Sequence, residues 1–194
     1  MKQILSLPLI LLLPSLLTAN IGPAGFKQFK NYYFVETGTY CGTAVAQALK
    51  EGFSEVRSIE FDLKSYSLAQ NRFKKNTNVK LFHGNSINQL WEMIKDIDQP
   101  ITFWLDAHIF PPLPNGNKNC PLLEELDQIK RHHIKVHTIL IDDMHCAGTA
   151  AFDGLTKTDL IKKILEINPN YKITYVSGGD KGEYPENVMV ASIN

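Results

Sequence analysis

The sequence predicts a three-layer α/β sandwich: a mostly parallel seven-stranded sheet, helices on both faces, and an antiparallel hairpin at the C-terminal edge. Three observations lead there. From residue 32 onward, β-rich runs alternate with five helix-like runs, and βα alternation requires parallel strands joined by crossover helices. The runs at 101–106 (ITFWLD) and 138–141 are almost wholly apolar, as strands covered on both faces must be. The last two β runs, 172–176 and 188–193, follow one another through the turn-rich SGGDKGEYPEN without a helix between them. They should therefore pair antiparallel.

The elements read as follows. Residues 32–38 form a first strand ending in Gly38, and 43–51 (TAVAQALKE) a first helix. A strand at 55–62 (EVRSIEFD), a helix at 64–75 and a strand at 79–83 come next. The helix at 87–96 carries Leu90, Trp91 and Ile94 on one face. After the strand at 101–106 comes a Pro/Asn/Gly loop, 111–119. A helix follows over 121–132, with Pro121 in its first turn and Leu122, Leu123, Leu126 and Ile129 as its apolar stripe. The strand at 138–141, a helix at 156–167 and the closing hairpin complete the set.

With 194 residues the chain has room for about one domain, and 44% hydrophobic residues exclude wholesale disorder. Twenty basic residues balance twenty acidic ones, which removes the charge argument for a nucleic-acid partner. Three cysteines cannot staple a fold of this size, although Cys120 and Cys146 fall in loops at one sheet edge and a disulfide between them is left open.

Residues 4–17 (ILSLPLILLLPSLL) are uncharged and follow Lys2. The run is shorter than the roughly 20 apolar residues of a membrane-spanning helix and contains Pro8 and Pro14. It has the layout of a signal peptide, with Leu17-Thr18-Ala19 as the cleavage site, or of an anchor. The expected organisation is a signal or anchor over 1–19, a Gly/Pro linker over 20–31 and one domain over 32–194. Export or membrane attachment through this segment is the localisation it suggests. Oligomeric state is not readable.

A sheet of this kind binds ligands beyond the carboxyl ends of its strands, where strand order reverses. Those ends carry Glu36 to Gly42, Glu60 and Asp62, His83 to Ser86, Asp106 to His108, and Asp142 to Cys146. Gly38 and Gly42 allow a tight strand-to-helix turn, but bulky Tyr40 stands where a pyrophosphate-binding motif needs glycine. The turn thus suits a nucleoside without phosphates. Glu60, 18 residues after Gly42, stands where an acid can accept both hydroxyls of a ribose. Asp106, Asp142 and Asp143 belong to adjacent strands roughly 5 Å apart. Three converging carboxylates repel unless a cation or a proton joins them, and an all-oxygen set suits Mg²⁺. Taken singly, each residue has an ordinary use as a helix cap or solvated loop group. His108 and His145 flank the same point, as a base, a ligand or plain polar residues. His132, His133 and His137 read as surface residues.

These stretches resemble the class I S-adenosylmethionine-dependent methyltransferases, and more nearly the cation-dependent O-methyltransferases of the catechol and macrocin types, over about residues 32–160. Val35-Glu36-Thr37-Gly38-Thr39-Tyr40-Cys41-Gly42 resembles the catechol enzymes' glycine motif. Ser58-Ile59-Glu60 resembles the ribose-binding acid, and Gly84-Asn85-Ser86 the adenine turn. Leu105-Asp106 resembles the first metal ligand. Ile141-Asp142-Asp143 resembles the metal pair, followed by Cys146 and Gly148 as in those enzymes. The resemblance implies a Rossmann-like fold and S-adenosylmethionine contacts from Glu36, Gly38, Thr39, Tyr40, Gly42, Glu60, Phe61, Asn85, Ser86 and Asp106. It also implies a divalent ion, Mg²⁺ by expectation, on Asp106, Asp142 and Asp143. The reaction expected is methyl transfer to a hydroxyl of a small molecule or glycan. The lysine base of the catechol type is replaced by Ile109, which leaves His108 and His145 as candidate catalytic bases. An exported binding protein that kept the fold, and a metal-assisted hydrolase, are the alternatives; the cytosolic origin of S-adenosylmethionine speaks against full export of a working methyltransferase.

Overall fold

A computed structural model describes residues 21, 25–109, 118–179 and 181–193. The leader-like run at 1–19 lies outside the described residues. Among the described residues no helix is long and apolar enough to cross a membrane.

The strands are β1 (Tyr33–Thr37), β2 (Glu55–Glu60), β3 (Val79–His83), β4 (Ile101–Leu105), β5 (Thr138–Ile141), β6 (Lys172–Gly178) and β7 (Tyr184–Ser192). Between them run α1 (Thr43–Lys50), α2 (Leu63–Phe73), α3 (Ser86–Ile94), α4 (Leu122–Arg131) and α5 (Lys157–Leu165). The described strands form one sheet in the order β3-β2-β1-β4-β5-β7-β6. The first five are parallel, and β7 pairs antiparallel with both β5 and β6. This is the expected Rossmann-like architecture. The order reverses between β1 and β4, so the crevice predicted for a ligand opens at their carboxyl ends.

Local chemistry starts the helices where the pattern placed them. Asp62 accepts from the Ser65 amide and caps α2, and Asn85 accepts from Ile87 and caps α3. Thr156 and Asp159 form a reciprocal capping box on α5. Each such cap is worth about 1 kcal/mol.

Apolar side chains fill both faces of the sheet. One layer includes Leu90, Phe103, Leu126 and Ile141; the other includes Phe34, Val45 and Trp104. Described residues of the segment read as a linker pack into the second layer. Ile21 and Phe26 are fully buried, and the Phe26 ring lies 4.8 Å from that of Phe34 and 5.1 Å from that of Trp104. Gly and Pro obscured these two anchors in the sequence.

Two further expectations are corrected. On α4, Leu123 is only half-buried, whereas Glu125 and Gln128 turn inward. The Gln128 amide explains its place: Nε2 donates to the carbonyls of Ser86 and Ile87, and Oε1 accepts from the Trp91 amide. His132 and His137 are fully buried and not at the surface; only His133 is exposed. His132 Nε2 donates to the carbonyls of Ile94 and Ile97, and His137 Nδ1 accepts from the Ile101 amide at 3.1 Å. The histidines thus close backbone groups at the entry to β4. Cys41, Cys120 and Cys146 are all free thiols.

Burial, with His132 nearby, pushes the His137 pKa down to about 3. A depressed folded pKa contributes stability that is complete above about 6.5 and is lost as pH falls toward the folded value. His137→Asn keeps an acceptor and removes the titration. Relative to the parent protein, it should lose about 2 kcal/mol less stability between about pH 6.5 and pH 5, measured by urea denaturation.

Candidate functional site

The turn from β1 to α1 is tightly packed against its neighbours. Gly38 has φ +85°, and a Cβ there would lie 2.4 Å from the carbonyl oxygen of Asp106. The exit of β1 therefore packs directly on the exit of β4. Gly42 has φ +75°, and its Cβ would strike the Phe73 ring at 2.5 Å. Tyr40 also holds a left-handed conformation, φ 45°, which costs a side-chain-bearing residue about 1–2 kcal/mol. Its amide is repaid by Glu60, whose Oε2 accepts it at 2.6 Å while Oε1 accepts the Asp62 amide at 2.8 Å. A carboxylate has further lone pairs, so Glu60 can shape the turn and still receive hydroxyls.

The other expected cofactor residues divide into rim and floor. Tyr40 and Phe61 are 55% and 68% exposed at the rim. Asn85 caps α3 with its side chain, and Ser86 is buried beside it. Glu36 and Thr39 lie beneath the turn. The Ser58 hydroxyl donates to Glu36 Oε2 and lies 2.5 Å from Thr39 Oγ1. Burial pushes the Glu36 pKa up to about 8, so it sits as a neutral acid at pH 7. Glu125, which the sequence reading missed, is also fully buried. Burial pushes it up to about 7. Its signal was present as an acid inside the helical stripe, but a charged residue there reads first as surface.

The register pairs Thr37 with Leu105 and Leu105 with Ile141, which brings the next residues, Gly38, Asp106 and Asp142, side by side. Asp106, His108 and Asp143 each offer a ligand atom, all within 4.8 Å of one another. His108 Nε2 lies 3.0 Å from Asp143 Oδ2, and its Nδ1 lies 3.7 Å from Asp106 Oδ1. Asp142 is not in this group. Its Oδ1 accepts the Asp143 amide at 2.7 Å and faces Asn187 Nδ2 at 3.4 Å. The structure thus gathers two of the three expected carboxylates and puts His108, expected as a base, beside them.

The electrostatics follow from burial and neighbours. Burial, then the charges of Asp142 and Asp143, raise Asp106 well above the carboxylate range. Burial and Asp143 do the same to Asp142. Asp143 goes the other way. Burial would raise it, but the hydrogen bond and charge of His108, with Asn187 and His145, hold it low.

Asn187 was missed by sequence reasoning. It stands on β7, next to Glu186 in a left-handed conformation and opposite an irregularity between Val176 and Gly178. Its Nδ2 donates to Asp143 Oδ1 at 3.1 Å. Its Oδ1 accepts from the His145 amide at 3.3 Å and lies 2.7 Å from His145 Nδ1. A Cβ on Gly178 would come within 3.2 Å of Asn187. Nothing in the turn composition that precedes β7 singles this asparagine out.

Two outcomes test this geometry. Gly38→Ala should cost about 2 kcal/mol, because it adds both a clash and left-handed strain, read as a lowered melting temperature. Asn187→Leu removes the amide that faces Asp143 and should cost about 2–3 kcal/mol at neutral pH by chemical denaturation.

No protein-family model and no curated protein matches the chain. Solved structures do. The O-methyltransferase from Bacillus cereus in complex with SAH superposes with TM-score 0.61 at 14% identity, covering 86% of this chain and 76% of that one. The O-methyltransferase TomG from Streptomyces achromogenes, in complex with SAM, gives 0.60 at 12%, covering 87% and 76%. The SAH-bound methyltransferase PaMTH1 from Podospora anserina gives 0.58 at 14%, covering 87% and 74%. This chain therefore has the fold of the class I S-adenosylmethionine-dependent methyltransferases.

Proposed function

We propose that this protein transfers the methyl group of S-adenosylmethionine to a hydroxyl of a small molecule or sugar, with a divalent cation assisting. One observation carries the reading: Gly38 packs on the Asp106 backbone, so the turn suited to a nucleoside and the carboxylate–imidazole cluster share a wall. A methyl donor and a hydroxyl acceptor need that adjacency, since oxygen, methyl carbon and sulfur must come nearly into line. The SAM- and SAH-bound methyltransferases of the same fold support the choice of cofactor.

Glu60 and the Gly38–Gly42 turn would receive the nucleoside, with Tyr40 and Phe61 bordering it. Two carboxylates and an imidazole within 4.8 Å of one another form a donor set that fits a divalent ion, and Asp106, Asp143 and His108 would hold it. When bound, such an ion supplies positive charge that lowers the pKa of an acceptor hydroxyl. In the transfer, an acceptor oxygen forms a bond to the methyl carbon, the carbon–sulfur bond breaks, and its electron pair stays on sulfur.

The hydroxyl proton goes to His145. Ile109, at the lysine position of the catechol type, has no basic group, and His108 is clasped by two carboxylates. The His145 side chain is 57% exposed. The two aspartates that Asn187 faces require its NH₂ to point at them, so its oxygen faces His145. That oxygen can only accept, so Nδ1 carries the hydrogen and Nε2 keeps the lone pair that takes a proton. Cys146 Sγ lies 3.4 Å from this nitrogen; burial pushes the thiol up to about 11, so it does not compete as an anion at neutral pH.

Isothermal titration with S-adenosylhomocysteine should show micromolar binding; its absence would sink the reading. Asp106→Asn and Asp143→Asn should abolish divalent-dependent turnover. His145→Gln should lower kcat about 10²-fold or more with S-adenosylhomocysteine affinity unchanged.

A further inference from the structure

We infer that the ion taken by this protein is a borderline transition-metal ion of the Co²⁺, Ni²⁺ or Zn²⁺ kind in preference to Mg²⁺, because an imidazole stands where a third carboxylate would complete an all-oxygen site. The inference rests on the cation part of the reading above and names the class of ion.

The three aspartates taken together would make a hard site, and the fold does not assemble one. Asp142 is engaged by its own neighbour's amide at 2.7 Å and by Asn187 at 3.4 Å. It stands outside the group whose ligand atoms converge. His108 enters in its stead. Its side chain is 7% exposed, and its two ring nitrogens address the two remaining aspartates, at 3.0 Å and 3.7 Å. The ring also packs against Phe152, centroids 5.1 Å apart and planes 64° apart. Phe152 is itself fully buried in the core. Swinging His108 into solvent would break both contacts, so the nitrogen donor is built into the site.

The choice of ion follows from ligand chemistry. Mg²⁺ strongly prefers oxygen and keeps much of its water, whereas imidazole nitrogen suits the later divalent ions. A mixed set of two carboxylates and one imidazole therefore discriminates in favour of the latter. The Asn187 amide faces Asp142 and Asp143 alike, so His108 is what makes the donor set mixed.

The test uses the full chain, freed of metal by a chelator and titrated with CoCl₂ and MgCl₂ separately. Co²⁺ should bind about tenfold or more tightly than Mg²⁺. Pulsed EPR of the Co²⁺-loaded protein should show hyperfine coupling to nitrogen. His108→Gln replaces the nitrogen donor with an amide oxygen; it should abolish that coupling and shrink the Co²⁺ over Mg²⁺ preference about tenfold. Coupling that survives in His108→Gln, or an unchanged preference, overturns the inference and leaves a cation site intact. Binding of neither ion overturns the inference and the cation reading together, and marks His108 as the charge partner of the aspartates. Titration of the same samples with S-adenosylhomocysteine reports separately on the methyl-transfer reading and on the folding of the variant.

Discussion

Acidic side chains at the matched ends of β4 and β5 cannot all ionise in a buried place without a partner of opposite charge or a proton. The surroundings of Asp106, Asp142 and Asp143 answer that constraint in detail. His108 lies between Asp106 and Asp143. The Asn187 amide serves Asp142 and Asp143, and the left-handed backbone of Asp143 turns its carboxyl toward both helpers. Asp143 thus stays ionised while Asp106 and Asp142 are pushed toward the neutral form. Asp143 is thus the carboxylate held ionised, with the His108 imidazole beside it.

The antiparallel insertion of β7 matters for the same reason. A purely parallel continuation beyond β5 would bring a helix crossover to this edge. The hairpin instead delivers Asn187 from the end of the chain, and the strained Glu186 beside it is the kind of local cost that persists where surrounding structure demands it. Packing of Gly178 against Asn187 leaves the amide little room to turn.

Beneath the turn from β1 to α1 a second set of acids behaves oppositely to the buried histidines. Burial pushes Glu36 up to about 8 and Glu125 up to about 7. A raised folded pKa gives stability that is complete below the unfolded value near 4.5 and is lost as pH rises through the folded one. His137 loses its contribution in the acid direction. The two tendencies oppose one another between about pH 4.5 and 6.5, and near pH 7 the floor of the crevice stands close to the titration of Glu125.

The amino-acid pattern alone was enough for the layered fold, the strand count, the closing hairpin and the edge of the sheet where acids gather. These are set by hydrophobic period, by turn chemistry and by the rule that βα units run parallel, all of which are local or nearly so. It was not enough to show that Phe26 belongs to the core, that His132 and His137 are interior, or that Glu125 points inward. Those depend on which neighbours a side chain finds: His132 and His137 meet backbone groups of the segment from Ile94 to Ile101, which lies far from them in the chain. The make-up of the metal-like cluster was decided at the same level. Asp142 and Asp143 are adjacent in the chain and look equivalent there. His108 from the β4 exit separates them by lying 3.0 Å from Asp143, while Asn187 from β7 faces both, and contacts between residues that far apart in the chain exist only once the sheet has closed.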